Sequence, residues 1–310
     1  MATYHSGELA VQQRAALTDQ ARFSLGGIGD SVPAVAAAFL AEQPMIVVGS
    51  TDRAGRIWAT QLTGAPGFLR VPDPRTLVID ALPLPEDPLS AVMAQAGAEG
   101  PARIGMIAIE PATRRRMRMN GTAVRDGGGL RVDLDQVIAN CPKYIQKRDH
   151  HTLPPSEEAR AAGARTVTDG TELSAAQHRA VSTADTFFIA TASDRGDADA
   201  SHRGGNPGFV RVLSPTLLRW PDYVGNAMFL TLGNLMLNPA AGLVVPDWET
   251  GSTLQLTGTT RIVWDAEEIA RVPGAQRLVE FSVEAVREIS AASPLRWTAP
   301  GYSRFNPPVA

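Results

Sequence analysis

The chain has 310 residues, 44% hydrophobic and 20% charged, the balance of a soluble globular protein with room for two domains. Its formal net charge of −3 leaves no basic excess to neutralise nucleic-acid phosphates, which argues against a nucleic-acid binder. A single cysteine, Cys141, excludes an internal disulfide and suits a reducing cytoplasm. Cys141 reads either as a small buried apolar residue or as a reactive thiol, the former being the usual state of a free cysteine. Met1 to Glu8 are polar, so no secretory signal is expected. No apolar run approaches the ~18 residues of a membrane span.

In chain order, Asp30-Ser31-Val32-Pro33 is a start signal for a helix over 34–40. An apolar run, Ile46 to Val48, then leads into Ser50-Thr51-Asp52-Arg53. Residues 82–89 are rich in Leu and Pro. Asp126-Gly127-Gly128-Gly129 predicts a turn; a phosphate loop would need a following Lys-Ser/Thr and a helix. Leu130, Val132 and Leu134 alternate with Arg131, Asp133 and Asp135, the period of a strand with one wet face. Residues 149–170, with His150-His151 and Pro154-Pro155, carry turn residues and charge without sustained apolar periodicity. They are expected to be a linker between residues 1–148 and 171–310. Thr171 to Ser174 starts a helix over 175–183. Glu249-Thr250-Gly251-Ser252 predicts a hairpin turn. The alternating stretch Leu254 to Ile262 follows, with Gly258 as a bulge or bend. Asp265 caps a helix from Ala266, and Val279, Phe281 and Val283 form a late alternating strand.

These elements occur twice. Gly64-Ala65-Pro66-Gly67-Phe68-Leu69-Arg70-Val71 returns as Gly205-Asn206-Pro207-Gly208-Phe209-Val210-Arg211-Val212. The strand before it and the Asp-Arg pairs 52–53 and 194–195 match as well. Gly105, Glu110 and Gly121 mirror Gly242, Asp247 and Gly258. A repeat of this length is a duplicated domain, since solenoid units run about 20–50 residues. Each copy reads as a small antiparallel β-barrel with short helices.

The copies differ in their polar residues. The second has Ser201-His202-Arg203-Gly204 where the first has Thr60-Gln61-Leu62-Thr63. It then adds Asp222-Tyr223, Gly225-Asn226 and Thr231-Leu232-Gly233-Asn234. Arg203 offers a planar fork for a phosphate. Ser201, Thr231 and Asn234 offer short polar groups, and Gly204, Gly205 and Gly233 would let backbone amides approach a ligand. Asn226 and His202 could bond the edge of a ring. The other reading is a salt-bridged arginine among turn residues. The five histidines show no metal-ligand spacing, and no Walker loop, dinucleotide fingerprint or nucleophile elbow is present.

The strings Phe187 to Ser193, Ser201-His202-Arg203-Gly204-Gly205, Pro207 to Val210, Pro221-Asp222-Tyr223, Gly225-Asn226 and Thr231 to Leu235 with Asn238-Pro239 resemble the pyridoxamine 5'-phosphate oxidase-like, FMN-binding split-barrel family. With Tyr4-His5, Gly7 to Gln12 and Asn140 to Gln146, the chain looks like its tandem subgroup. The resemblance implies a mainly β protein with short helices: two tandem six-stranded antiparallel Greek-key split β-barrels, with FMN in the cleft between them. The first copy, its site degenerate, would act as the partner barrel. Lys143 and Tyr144 would then reach the FMN site of the second. Arg296 and Trp297, in the equivalent place of the second copy, either contact ligand or cap the core, the latter being the favoured reading. Many relatives carry a phosphate-binding Lys near Thr231, and this chain does not. The implied FMN contacts are Ser201, His202, Arg203, Gly204, Asn226, Thr231, Gly233, Asn234, Lys143 and Tyr144, with His202 the candidate catalytic residue.

The implied function is flavin oxidoreduction of an unidentified small molecule, with a nicotinamide or ferredoxin-reductase-type electron donor and a cytoplasmic location. A non-catalytic flavin or haem carrier or sensor is the alternative. A homodimer of two-barrel chains stays open.

Overall fold

The computed structural model describes residues 3–139 and 141–309. Met1, Ala2, Asn140 and Ala310 lie outside them, and with them the asparagine of the Asn140 to Gln146 string. The first repeat opens with α1 (Ser6–Arg14), α2 (Thr18–Ser24), β1 (Ile28–Gly29) and α3 (Ala34–Ala41). Its strands are β2 (Met45–Thr51), β3 (Ile57–Thr63), β4 (Leu69–Asp73) and β5 (Thr76–Ile79). α4 (Ser90–Gln95) follows, then β6 (Ala102–Glu110), β7 (Arg115–Asp126) and β8 (Gly129–Ala139). Three short elements connect the repeats: β9 (His150–Thr152), α5 (Pro155–Gly163) and β10 (Val167–Gly170). The second repeat comprises α6 (Ala175–Thr183), β11 (Thr186–Ala192), β12 (Ala198–Gly204), β13 (Arg211–Ser214) and β14 (Leu217–Asp222). It continues with α7 (Leu230–Leu237), β15 (Ala240–Pro246), β16 (Thr253–Val263), α8 (Ala266–Ala270), β17 (Arg277–Ile289) and β18 (Leu295–Trp297).

The duplication is visible in the pairing. One sheet runs β3-β2-β6-β7-β8-β5-β4, and the other runs β12-β11-β15-β16-β17-β14-β13, strand for strand the same antiparallel order. Each takes an eighth short strand, β1 on β8 and β10 on β17, where six strands per barrel were expected. The ends of each path are not paired with one another, so each barrel is split rather than closed. Both sheets carry a bulge at the same place, between Asn120 and Gly121 and between Thr257 and Gly258. A Cβ on either glycine would lie about 2 Å from a carbonyl oxygen across the ladder, of Asp133 or Ser282.

The repeated Gly-x-Pro-Gly-Phe motif is a turn with a stated cause. Gly67 and Gly208 have φ of +93° and +92°, and Phe68 and Phe209 donate back to the carbonyls of Ala65 and Asn206 at 2.9 Å. Pro then Gly at the two central positions is the sequence of a type II turn. The phenylalanine folds back over Gly64 or Gly205, whose missing Cβ makes room for its ring.

The expected helices are found: α6 spans 175–183 with Ser174 and Gln177 forming a capping box, and Asp265 caps α8. Leu130 to Asp135 alternates buried and exposed as read. The first half of β16 does not, because its second face packs on the first repeat. The expected linker holds a helix and two strands, with β9 pairing β18 and β10 pairing β17. Helices α1 and α2 have His5 and Leu17 at their N-caps, without the Ser, Thr, Asp or Asn that marks a helix start in sequence.

Each sheet curls around its own apolar core, one holding Leu40, Trp58 and Met106, the other Phe187, Trp220 and Phe281. A third cluster lies between the sheets, from Met45, Val47 and Ile107 to Phe188, Ala190 and Val244. Trp297 belongs to this interface and meets Trp248 edge-on, so it caps the core as expected. Arg296 bonds the carbonyls of Ser293 and Leu295 beside it. Repeat-equivalent glycines bring the sheets together: a Cβ on Gly105 would strike the Asp199 backbone at 2.4 Å, and one on Gly242 would strike Trp58 Cα at 2.5 Å. The contacts are reciprocal, first sheet on second and second on first, as in an isologous interface.

Candidate functional site

The site forms where strands of both repeats meet the start of α7. On β12, Ser201, His202 and Arg203 follow one another. On β7 of the first repeat, Arg116 and Arg118 are two apart and therefore share a face. The segment after β8 crosses onto the second repeat and is anchored there. Buried Gln146 donates to the Gly205 carbonyl at 3.2 Å, and buried Arg148 makes a bidentate pair with Asp185. This brings Lys143 and Tyr144 to the same wall. Together these residues line a cavity of about 140 Å³, with Gly204, Asn226, Thr231, Asp222 and Tyr223 among the others. Whole-ligand pockets usually measure ~300–1,000 Å³, so the enclosed part suits an anionic head or ring edge, with the rest of a ligand in the open cleft.

The electrostatics are unbalanced. Arg118 pairs with Asp199, both buried. Arg116 and Arg203 have no carboxylate in salt-bridge range among the described residues. Burial and the neighbouring Arg118 and Arg203 pull Arg116 down to about 9. A guanidinium remains charged at neutral pH, so the depression reflects first the burial of that charge and then the neighbouring cations. Arg203 is lowered too, first by desolvation, against the opposing pull of Asp222. Desolvation raises Asp222 while Arg203 and Arg277 oppose it. His202 is 3% exposed and lowered well below its ordinary value by burial, then by Arg116 and Arg203, so the imidazole is neutral. Arg116 Nη1 lies 3.1 Å from His202 Nδ1. Arginine only donates, so Nδ1 accepts and the proton sits on Nε2. That Nε2–H is buried without a partner, as are the Nε atoms of Arg116 and Arg118.

Helix α7 adds further donors. It has no side-chain cap, its N-cap Phe229 is left-handed at φ +59°, and Leu230, Thr231 and Leu232 of its first turn line the cavity. Tyr144 (φ +65°) and Ala227 (φ +61°) are also left-handed, so three strained non-glycine residues gather at one site. The Tyr144 and Tyr223 rings lie 5.1 Å apart, and Tyr144 Oη donates to the Val224 carbonyl. Burial pushes Tyr223 up to about 12, so it stays protonated.

Eight of the ten sequence-named contacts are brought together here: Lys143, Tyr144, Ser201, His202, Arg203, Gly204, Asn226 and Thr231. Gly233 is not among the lining residues; its missing Cβ makes room for Glu8 of α1, at 2.4–2.8 Å. Asn234 bonds Thr191 and His5 and lines a different cavity, of about 1,010 Å³, that shares Leu230 with the first. Several roles also differ from expectation. The Gly204 Cβ position is filled by the Tyr144 carbonyl, so the glycine serves repeat packing. Thr231 Oγ1 donates to Asp199, Asn226 Oδ1 accepts from Met228 N–H, and Ser201 Oγ accepts from Arg203. Cys141 is exposed at the rim rather than buried. Arg116 and Arg118 were missed; the signal was the basic run 114–118 at the start of a strand.

The equivalent place in the other half is filled. Gln255, the repeat partner of Arg118, donates to Ala59, Thr60 and Asp87, and Thr60 donates to Asp87, all buried. Among the described residues no group of His, Cys, Asp and Glu could hold a metal ion, and no described helix is long and apolar enough to cross a membrane.

Residues 173–296, within the second repeat, match the family model of pyridoxamine 5'-phosphate oxidase. This agrees, for this stretch, with the resemblance to pyridoxamine 5'-phosphate oxidase-like split-barrel proteins drawn from the sequence. No curated protein matches the chain. Among solved structures, a Lactobacillus delbrueckii protein provisionally assigned as a pyridoxamine 5'-phosphate oxidase is similar at 16% identity, covering 38% of this chain and 94% of its own, with a TM-score of 0.33. HupZ of Group A Streptococcus is similar at 11% identity over 37% and 98%, TM-score 0.31. An FAD binding protein of Mycobacterium smegmatis is similar at 15% identity over 39% and 99%, TM-score 0.28.

Proposed function

We propose that the chain is an FMN-dependent oxidoreductase with one site, at the start of α7, acting on a small molecule. One observation carries the reading. Buried, mutually repelling guanidinium groups and a buried imidazole N–H, all with orphaned donors, converge beside an uncapped helix start. Such an array is costly unless an anion completes it. Arg116, Arg203, Lys143 and the first amides of α7 would hold the phosphate. The tyrosine pair and Phe229 offer apolar walls for a ring. When bound, FMN supplies hydride or electron transfer, and the protein supplies position and polarity. His202, neutral with its proton on Nε2, is a hydrogen-bond donor to the ring. A haem carrier is less well supported, because iron would need the Nε2 lone pair while Arg116 already donates to Nδ1. A nicotinamide or reductase protein is the proposed electron donor.

The test is an absorption spectrum of the purified protein, with mass identification of the chromophore released by heat. Released FMN and turnover with a donor support the reading. A charge-assisted contact contributes about 1.5–3 kcal/mol, so Arg203→Ala is expected to weaken FMN at least tenfold. Unchanged affinity in that variant removes the phosphate assignment. Tight FMN binding with no turnover in any donor and acceptor pair leaves a carrier instead of an enzyme.

A further inference from the structure

Three segments meet beside the mouth of this cavity: residues 111–118, 141–148 and 300–309. They hold eight of the chain's 29 lysines and arginines and no aspartate or glutamate, in a protein whose net charge is −3. The structure ties them together. Arg114 donates to the carbonyls of Ile145, Gly301 and Tyr302. Lys147 and Gly301 exchange backbone hydrogen bonds at 2.8 Å, and Ser303 N–H reaches Gln146. Three of the eight cations are neutralised: Arg115 by Glu110, Arg118 by Asp199 and Arg148 by Asp185. Arg114, Arg116, Lys143, Lys147 and Arg304 have no carboxylate partner among the described residues. Two aromatic side chains stand exposed among them, Tyr302 at 48% and Phe305 at 43%. The Phe305 ring takes Arg304 at 5.0 Å and Lys143 at 5.9 Å, and Lys143 itself lines the cavity. The positive field is therefore continuous from the cavity wall to the surface.

Cations interleaved with exposed aromatic faces suit a ligand that combines phosphates with a flat base. The cavity is too small for a whole dinucleotide, and Lys143 belongs both to its wall and to this patch. We propose that the patch binds the adenosine diphosphate portion of a nucleotide ligand whose other end enters the cavity, an extension that rests on the flavin reading. Two sources carry that portion, a flavin dinucleotide held in one piece and a nicotinamide dinucleotide arriving as electron donor.

The probe is ADP, titrated calorimetrically into the full chain at low ionic strength. The comparison protein is the double variant Lys147→Glu with Arg304→Glu, both exposed positions whose side chains make no ion pair among the described residues. ADP is expected to bind the wild type and to lose at least tenfold in the variant, while FMN affinity changes less than threefold. A matching loss for FAD assigns the portion to the flavin. A matching rise in KM for NADH or NADPH, with FAD unchanged, assigns it to the donor. Failure of ADP to bind the wild type, or equal binding by the variant, overturns the proposal. If FMN binds and ADP does not, the extension alone fails. If ADP binds and is lost in the variant while FMN does not bind, the patch stands and the flavin reading fails.

Discussion

Glu8 is 4% exposed on α1, and its carboxylate accepts from the His5 backbone N–H. Burial, and then Asp199, push it up from an ordinary 4.5 to about 7. The sign follows from where the proton is held. The folded protein keeps the proton that the unfolded chain releases near 4.5. Stability from this group is therefore complete below 4.5 and is lost as pH rises through about 7. The rise corresponds to about 3 kcal/mol. Glu8→Gln keeps the acceptor and removes the ionisation. It is expected to raise the melting temperature at pH 8 and leave it unchanged at pH 4.5. Equal shifts at both values would show that charge at this position is not what matters. His202 shows the opposite side of the same physics: burial keeps it neutral, so its donor is present across the physiological range.

Helix α1 is held against α7 by two glycines whose backbones nearly touch; a Cβ on Gly7 would lie 2.1 Å from the Gly233 carbonyl. Gly7→Ala must push the helices apart, and overpacking of this kind costs typically 1–3 kcal/mol. In a chain of this size that is a fall of a few degrees in melting temperature, read by calorimetry. No change would mean that α1 is loosely docked. This packing explains part of what the sequence did not reveal. Gly233 was read as a ligand contact because a glycine in a polar string suits both a close ligand and a close helix, and only the position of α1 decides. The strands, caps and turns were legible because their causes are local: Pro66-Gly67 and Pro207-Gly208 set type II turns, and Ser174 with Gln177 closes a capping box. Arg116 and Arg118 were not legible as site residues, since their role depends on β7 facing the other repeat. The alternation in β16 suggested a wet face for the same reason, as Gln255 points at the first repeat instead of solvent.

At the scale of the molecule, duplication produces two equivalent places at the interface, which differ in charge among the described residues. In the first cleft, Arg116 and Arg118 face Ser201, His202 and Arg203, and positive charge lacks a partner. In the other, Gln255 replaces Arg118, Thr60 and Gln61 replace Ser201 and His202, and Asp87 accepts from the Gln255 Nε2–H. Burial raises the Asp87 pKa, and a carboxyl there, charged or not, offers nothing to a phosphate. One FMN per chain is therefore expected, with both repeats contributing to it. Arg116→Ala, in the first repeat, should weaken FMN by at least tenfold, as is expected of Arg203→Ala in the second. Gln61→Ala should leave affinity unchanged, since its amide contacts Met45 Sδ at 3.5 Å within its own repeat. Quantifying released flavin against protein, together with titrations of the three variants, checks both statements. Two flavins per chain, or a loss from Gln61→Ala equal to that from Arg203→Ala, would mean that the second cleft is also in use.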